Sequence, residues 1–206
     1  MIELVTTDGV FALDGGEWQV TNNIWLVGDD REVLVFDAAH DHHPIVDAVN
    51  GRRVAGIVLT HGHNDHINAA GALADAVDAP IYLHPDDTML WDAVYPERRP
   101  DRWLAAGEVV RAGGVELGVL HTPGHSPGCC CFHAAGVGAV ISGDTLFCGG
   151  PGATGRSFSD FPTIVESIRR HLLRLPPETI VHTGHGDTTT IGAEAPNLEE
   201  WLRRGH

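Results

Sequence analysis

LTHGHNDH, residues 59–66, places three histidines and one aspartate within six positions. The preceding VAGIV is apolar and β-branched, and the following INAAGALADAV predicts a helix. Alternate side chains at the end of a strand share a face, so His61 and His63 can point the same way. His66 can face the same space from the start of the helix, and Asp65 adds an oxygen ligand. Because imidazole and carboxylate together suit zinc, iron or manganese, we predict a metal site here rather than a solvated turn.

Further candidate ligands follow other short apolar strands of the chain. GVLHTPGHSPG carries a histidine in a tight turn, AVISGDTLF contains an aspartate after a buried strand, and ETIVHTGHGDTTT carries a histidine between two glycines. Histidines scattered over a surface would not all follow apolar strands. The additional candidates are His121, His125, Asp144, His182 and His185.

A rival histidine cluster occurs in VFDAAHDHHP, where His40, His42 and His43 lie close together in sequence. No partner residues converge on this stretch, so we do not predict a metal there. We expect Asp37, at the end of the preceding strand, to steady the main site. We expect His121 and His182 to pack, or to bond to a ligand ring, rather than to bind metal themselves.

The motifs THGHNDH, TPGHSPG, SGDTLF and TGHGD, in this order, resemble the metallo-β-lactamase superfamily and, within it, the glyoxalase II-like thioester hydrolases. The resemblance covers the chain from about residue 20 to its C-terminus. It implies an α/β (α+β) fold, a four-layer αββα sandwich of two mixed β-sheets with outer helices. It also implies one metal bound by His61, His63 and His125, a second bound by Asp65, His66 and His185, and Asp144 bridging the two.

The number of candidate ligands points to two divalent metal ions. Seven ligands are too many for one tetrahedral zinc, which takes about four. Two ions about 3.5–4 Å apart that share a carboxylate would use them all. We expect zinc, with iron or manganese as alternatives. A metal-bound hydroxide would attack a thioester carbonyl, and Asp65 would also orient this water.

The order of predicted elements agrees with a sandwich. Helices are predicted near residues 44–49, over 67–77 and at the C-terminal EAPNLEEWLRR, and strands in NIWLVG, VLVFDA, GIVLT, IYLH, VELGVL, CCFHA and AVISGD. In DFPTIVESIRRHLLRL, spacings of three and four residues give a single helical face. That face contains Phe161, Ile164, Ile168, Leu172 and Leu175, and Ser159 or Asp160 can cap the helix.

Composition predicts one domain, residues 1–206, in the cytoplasm. The chain has 206 residues, of which 43% are hydrophobic. No apolar run approaches the roughly 20 residues needed to cross a membrane, and the N-terminus lacks the pattern of a secretory signal. Three of the four cysteines are consecutive, which is unlike a disulfide framework. We expect reduced, mostly buried thiols, with Cys148 also packed inside.

Charge separates the possible partners. All 13 basic residues are arginine, against 28 acidic residues, and the formal charge is −15. This balance disfavours a nucleic-acid surface. The glutathione-specific hydrolases carry a C-terminal helical domain with basic residues, and we do not expect that domain here. The use of arginine for lysine suggests a GC-rich coding sequence, and bacteria of that kind often use mycothiol. The predicted partner is a small-molecule thioester of glutathione or mycothiol, and we expect faster hydrolysis of the sugar-linked one.

Two regions are candidates for substrate contact. The segment 86–103, DDTMLWDAVYPERRPDRW, mixes aromatic and arginine residues, so we predict a wall or lid that includes Trp91 and Arg102. Arg156, in GATGRSF, is a candidate cationic contact.

Other functions remain open at this stage. They are a mono-iron enzyme like the persulfide dioxygenases, a hydrolase like the β-lactamases or lactonases, and a non-enzymatic metal-binding module. The TGHGD motif supplies His185 as a ligand for a second metal, which weighs against the single-iron enzyme.

Overall fold

A computed structural model of the chain describes residues 1–205, in which two six-stranded sheets are packed together. The first sheet has the order β1-β2-β3-β4-β5-β6, antiparallel from β1 to β3 and parallel from β3 to β6. Its strands are β1 (Ile2–Leu13), β2 (Gly16–Gly28), β3 (Glu32–Phe36), β4 (Arg53–Val58), β5 (Ile81–Leu83) and β6 (Arg102–Trp103).

The second sheet has the order β14-β13-β10-β9-β8-β7, and only its β10–β13 pair is parallel. The pair β11–β12 forms a separate short hairpin. The strands are β7 (Val109–Ala112), β8 (Val115–His121), β9 (Cys130–Ala134), β10 (Ala139–Gly143), β11 (Leu146–Phe147), β12 (Gly150–Pro151), β13 (Ile180–Thr183) and β14 (Thr189–Thr190).

Helices cover the outer faces of both sheets. They are α1 (His42–Val49), α2 (Asn64–Ile67), α3 (Ala70–Val77), α4 (Thr88–Val94), α5 (Phe161–Ser167), α6 (Ile191–Glu194) and α7 (Leu198–Arg204). One apolar cluster lies between the first sheet and α1 and α3, a second between the sheets, and a third between the second sheet and α5 and α7. These three cores define the four-layer αββα sandwich that the sequence predicts.

Strand β3 shows how a sheet is buried on both faces. Val33 and Val35 pack in the outer core with α1 and α3, whereas Leu34 and Phe36 pack in the core between the sheets. Phe36 meets a ring of the second sheet there, Phe132, with 5.0 Å between the ring centroids. A strand that must be apolar on both faces reads as a continuous hydrophobic run, which explains VLVF.

Three local features differ from the sequence prediction. The first two strands form a long hairpin that begins at Ile2, where only NIWLVG is predicted. The predicted 67–77 helix is interrupted between α2 and α3 at residues 68–69. The α-helix after Asp160, whose carboxylate accepts the Thr163 N–H at 2.9 Å, continues from Ile168 as a π-helical turn. Within residues 1–205, no helix is long and apolar enough to cross a membrane.

Candidate metal centre

The first cluster consists of three buried histidines, two from the loop after β4 and one from the loop after β8. The Nδ1 atom of His63 lies 3.0 Å from Nε2 of His61 and 3.0 Å from Nε2 of His125. The other ring nitrogens are anchored: His125 Nδ1 donates to the Ala153 carbonyl at 2.8 Å, and His61 Nδ1 donates to the Thr60 hydroxyl at 3.0 Å. Their Nε2 lone pairs therefore face His63 and one another, an arrangement that a bound cation would stabilise.

The second cluster combines Asp65 and His66 from α2 with His185 from the loop after β13. The Nε2 atoms of the two histidines are 3.2 Å apart, and Asp65 Oδ2 lies 3.6 Å from His66 Nε2 and 3.4 Å from His185 Nε2. His66 Nδ1 lies 3.0 Å from Asp37 Oδ2, and His185 Nδ1 donates to the Thr21 carbonyl at 2.8 Å. Both rings thus turn Nε2 toward the cluster.

Asp144, just after β10, lies between the two clusters. One carboxylate oxygen is 3.3 Å from His66 Nε2, and the other is 3.5 Å from both His185 Nε2 and His125 Nε2. The main chain approaches this carboxylate so closely that a Cβ atom at Gly184 would lie 2.1 Å from Oδ1. A glycine is therefore required after β13.

The seven side chains fit divalent metal ions. Oδ1 of Asp144 is buried and has no hydrogen-bond partner. The three donor atoms of the second cluster lie 3.2–3.6 Å apart, close to the about 3.4 Å that separates tetrahedral ligands at metal distances of about 2.1 Å. Nitrogen and carboxylate donors are those that zinc, iron and manganese bind.

Burial is the main influence on the protonation of His61 and His63, and neighbouring histidines act in the same direction. It lowers the pKa of His63 to about 3 and the pKa of His61 well below its ordinary value. Both rings are uncharged at neutral pH, so their lone pairs are free to bind a metal.

Carboxylates reverse this effect in the second cluster. Burial would lower the pKa of His185, but Asp144 and then Asp65 outweigh it and raise that pKa to about 10. Burial would likewise lower the pKa of His66, yet the same carboxylates and Asp37 raise it well above its ordinary value. Conversely, burial would raise the pKa of Asp65, but the charge of His66 and a hydrogen bond from His185 lower it to about 2.

Asp87, which sequence reasoning missed, connects the two loops of the first cluster. Its buried carboxylate accepts the Gly62 N–H at 2.7 Å, the Ser126 hydroxyl at 2.6 Å and the Gly128 N–H at 2.6 Å. Gly62 lies between two ligands, and Ser126 follows a third. A Cβ atom at Gly128 would lie 2.6 Å from the Asp87 carboxyl carbon. The only sequence signal is an aspartate after the apolar strand IYL, and it does not reveal these partners.

Asp37 supports the site as the sequence predicts. It has a φ of 58°, an unusual conformation for a residue other than glycine. Its carboxylate accepts the Thr60 N–H and the Thr60 hydroxyl, each at 2.7 Å, and faces His66. The strained turn at the end of β3 thus connects one loop of the first cluster to one ligand of the second.

Both clusters open into one pocket of about 210 Å³. Its lining residues are Phe11, Val20, His63, Asp65, His125, Asp144, Phe147, Ala153, Arg156 and His185. The Arg156 guanidinium lies 3.9 Å from the Trp18 ring centroid and 5.4 Å from that of Phe11. Both aromatic residues come from the β1–β2 hairpin, which sequence reasoning did not connect with the site.

The structure does not place Trp91 or Arg102, the predicted substrate contacts of segment 86–103, at the metal pocket. Trp91 is fully buried, its indole N–H donates to the Arg98 carbonyl at 2.7 Å, and it packs in the outer core. Arg102 lies on the edge strand β6, 5.5 Å from the Tyr82 ring centroid and near Glu108. The reason is that Trp91 of α4 covers the first sheet, whereas Arg102 lies at the edge of that sheet. Of the three predicted substrate contacts, only Arg156 lines the metal pocket.

Cys148 also departs from the prediction, since it is exposed, whereas Cys129, Cys130 and Cys131 are buried. It follows β11 at the turn of a short hairpin, where little packs over it.

Several other histidines lie apart from the two clusters. His42 and His43 lie at the start of α1, where His43 pairs with the capping residue Asp41. His121 stacks on His84 with 4.1 Å between ring centroids, and His182 packs against Trp25. None of these rings belongs to either cluster.

Comparisons with known proteins identify the family of this chain. The Haemophilus influenzae hydroxyacylglutathione hydrolase GloC is 32% identical over 187 residues, which are 83% of this chain and 87% of the relative. The crystal structure of TTHA1623 in a di-iron-bound form is 35% identical, with a TM-score of 0.77 over 85% of this chain and 93% of that one. BLEG-1 B3 metallo-beta-lactamase is 29% identical, with a TM-score of 0.78 over 92% and 97%. The family model of the metallo-beta-lactamase superfamily matches residues 18–185, so the chain belongs to the metallo-beta-lactamase superfamily.

Proposed function

We propose that this protein is a hydrolase that uses two divalent metal ions to cleave thioesters of a low-mass thiol. Zinc is the first candidate for both ions. The observation that carries the proposal is the position of Asp144 between two clusters that open into one pocket. The relative that is named a hydroxyacylglutathione hydrolase supports the choice of a thioester. The di-iron form of TTHA1623 supports a pair of metals on this fold.

Bound divalent ions would supply an activated water and polarise the thioester carbonyl. The carboxylate of Asp65 lines the pocket and is ionised, because the pKa of Asp65 is held at about 2 by His66 and His185 against the effect of burial. It can therefore accept a hydrogen bond from the attacking water and orient it. A thiolate is a good leaving group, so the reaction needs no strong general acid.

The rest of the pocket binds the substrate. Phe11, Val20 and Phe147 offer apolar contact for an acyl chain or thiol carrier. Arg156 places a cation at the same pocket, where it would attract a substrate carboxylate. The Trp18 ring stacks against the guanidinium and limits its movement. The carrier is glutathione or mycothiol, and we retain the expectation of faster hydrolysis with mycothiol.

The test is a substrate panel on one metal-loaded preparation. Matched acyl-glutathione and acyl-mycothiol thioesters are compared with a β-lactam and a persulfide, and kcat/KM is measured for each. We expect thioesters to be hydrolysed best. A β-lactam or persulfide that reacts faster than every thioester would replace the proposal. A glutathione thioester hydrolysed ten-fold better than its mycothiol counterpart, about 1.4 kcal/mol, would reverse only the choice of carrier.

We also propose a cytoplasmic location. The four cysteines are unpaired, as expected of a protein in a reducing compartment.

A further inference from the structure

Asn22, on β2, lies against the second cluster and is fully buried. Its side-chain nitrogen is 3.2 Å from Asp65 Oδ2, 3.3 Å from His66 Nε2 and 3.5 Å from His185 Nε2. Because those three atoms are themselves 3.2–3.6 Å apart, the four atoms form a nearly regular tetrahedron. Asn22 thus occupies a corner of the second cluster, yet it does not line the substrate pocket.

A chain of hydrogen bonds fixes which end of the Asn22 amide faces the cluster. The main-chain N–H of His40 can only donate, and it donates to Asn68 Oδ1 at 2.6 Å. The Asn68 amide nitrogen must then face His40 Nδ1, at 3.1 Å, and donates to it. The remaining proton of the neutral imidazole is on Nε2, which donates to Asn22 Oδ1 at 2.8 Å. The NH₂ group of Asn22 is therefore the end that faces the second cluster.

An amide NH₂ group has no lone pair available to bind a metal, but it donates well to a carboxylate. At 3.2 Å its partner is Asp65, the carboxylate ligand of the cluster. A ligating carboxylate held by a neighbouring hydrogen bond keeps its orientation. The corner at Asn22 is closed to a further ligand, so Asp144 and the pocket are the sides from which a bound ion could be approached.

We propose that Asn22, with its amide direction set by His40 and Asn68, is a positioning residue that determines the affinity of the second cluster for its metal. This inference rests on the two-metal site proposed above. Loss of a hydrogen-bond partner of a metal ligand lowers metal affinity by about 10–100-fold. The effect is specific to one cluster, because Asn22 contacts Asp65, His66 and His185 but none of the first three histidines.

The experiment is a Zn²⁺ titration of the metal-stripped full chain, with affinities measured by calorimetry and by competition with a chelator. The second site is identified as the equivalent that His185→Ala abolishes. Asn22→Leu retains the size of the side chain and removes the donor, so we expect 10–100-fold weaker binding at the second site and less than two-fold change at the first. His40→Phe frees the amide to turn, and a smaller weakening at the same site is expected. His42→Phe is the matched control and should bind as the wild type does.

The outcomes separate this inference from the proposed function. A wild-type protein that binds only one equivalent, unaffected by His185→Ala, would overturn the two-metal proposal and this inference with it. If the wild type binds two equivalents and Asn22→Leu binds both with unchanged affinity, only the role of Asn22 is overturned. Equal weakening at both sites would indicate a general loss of structure and would also overturn it. If Asn22→Leu does not fold, His40→Phe becomes the test. Unchanged Zn²⁺ affinity at the second site of that variant would then contradict the inference.

Discussion

The two clusters of the metal centre contain histidines in opposite charge states only a few ångströms apart. In the first cluster burial lowers the pKa of His63 to about 3, so the ring is neutral. In the second, burial acts in the same direction on His185, but Asp144 and Asp65 raise its pKa to about 10. The difference lies in the neighbours: His61 and His63 are surrounded mainly by other histidines, whereas His66 and His185 each lie beside both Asp65 and Asp144.

The clusters are also held in different ways. Asp87 connects the two loops of the first cluster through their main-chain N–H groups, which fixes the backbone. The second cluster is held by side chains, chiefly Asp37 and Asn22. The ligands of the first cluster are therefore held in position by two buried loops, and those of the second by charge and oriented hydrogen bonds. A metal that enters the second site must replace protons, whereas the first site presents free lone pairs.

The largest expected effect comes from the residue that both clusters share. Asp144→Ala removes the carboxylate between them, so we expect loss of at least one metal per chain and a decrease in kcat of more than about 100-fold. Metal content by mass spectrometry and steady-state kinetics measure the two effects. Asp92→Ala, at a partly exposed aspartate of α4 that pairs with Arg99, serves as the control. Full activity in natively purified protein that carries a single equivalent would show that the clusters do not act as a pair.

The next effect tests the rigidity of the first cluster. Asp87→Ala leaves two main-chain N–H groups and the Ser126 hydroxyl buried without their acceptor. We expect the free energy of unfolding to fall by about 3 kcal/mol or more, and the first metal to bind more weakly. Urea unfolding of the metal-free protein measures this, with the more exposed neighbour Asp86→Ala as control, expected to change stability by about 0.5 kcal/mol or less. Equal stability of the two variants would contradict the idea that Asp87 fixes these loops.

A smaller effect concerns the pocket into which both clusters open. Arg156→Gln removes its guanidinium and should raise KM for a carboxylate-bearing thioester about ten-fold, with little change for a neutral thioester. Arg169→Gln, which removes an exposed arginine paired with Glu166, is the control. An identical increase in KM for both substrates would mean that Arg156 braces the loop instead of attracting charge.

The smallest effect compares two histidines at the same strand end. Burial lowers the pKa of His182 to about 4, since no carboxylate accompanies it, in contrast to His185. A histidine with a lowered pKa in the folded state contributes stability that is present above pH 6.5 and is lost as the pH falls toward 4. The Tm of His182→Leu should therefore fall less than the Tm of the wild type between pH 6.5 and pH 4, when both are measured with chelator present. Parallel Tm curves for the two proteins would rule out this contribution.

The sequence motifs place the candidate ligand residues at the ends of apolar strands, and the family resemblance assigns them to two metals. His61, His125, Asp144 and His185 follow strands of the two sheets, and the structure brings them together. Short apolar runs and the four-motif resemblance likewise predict the sandwich. Segment 86–103 shows the limit of such reasoning, because its composition could not show that Trp91 faces the core and not the pocket.

What the sequence by itself determined is the set of candidate ligand side chains and the layered fold, since both follow from local patterns of strand, turn and residue type. Only the tertiary structure decided which residues hold those ligands. No local pattern reveals the partners of Asp87 or Asn22, because Asp87 contacts residues 25–41 positions away in the chain and Asn22 contacts residues 43–163 positions away. The protonation of the histidines is likewise tertiary, because burial and the placement of carboxylates, not the residue type, determine each charge.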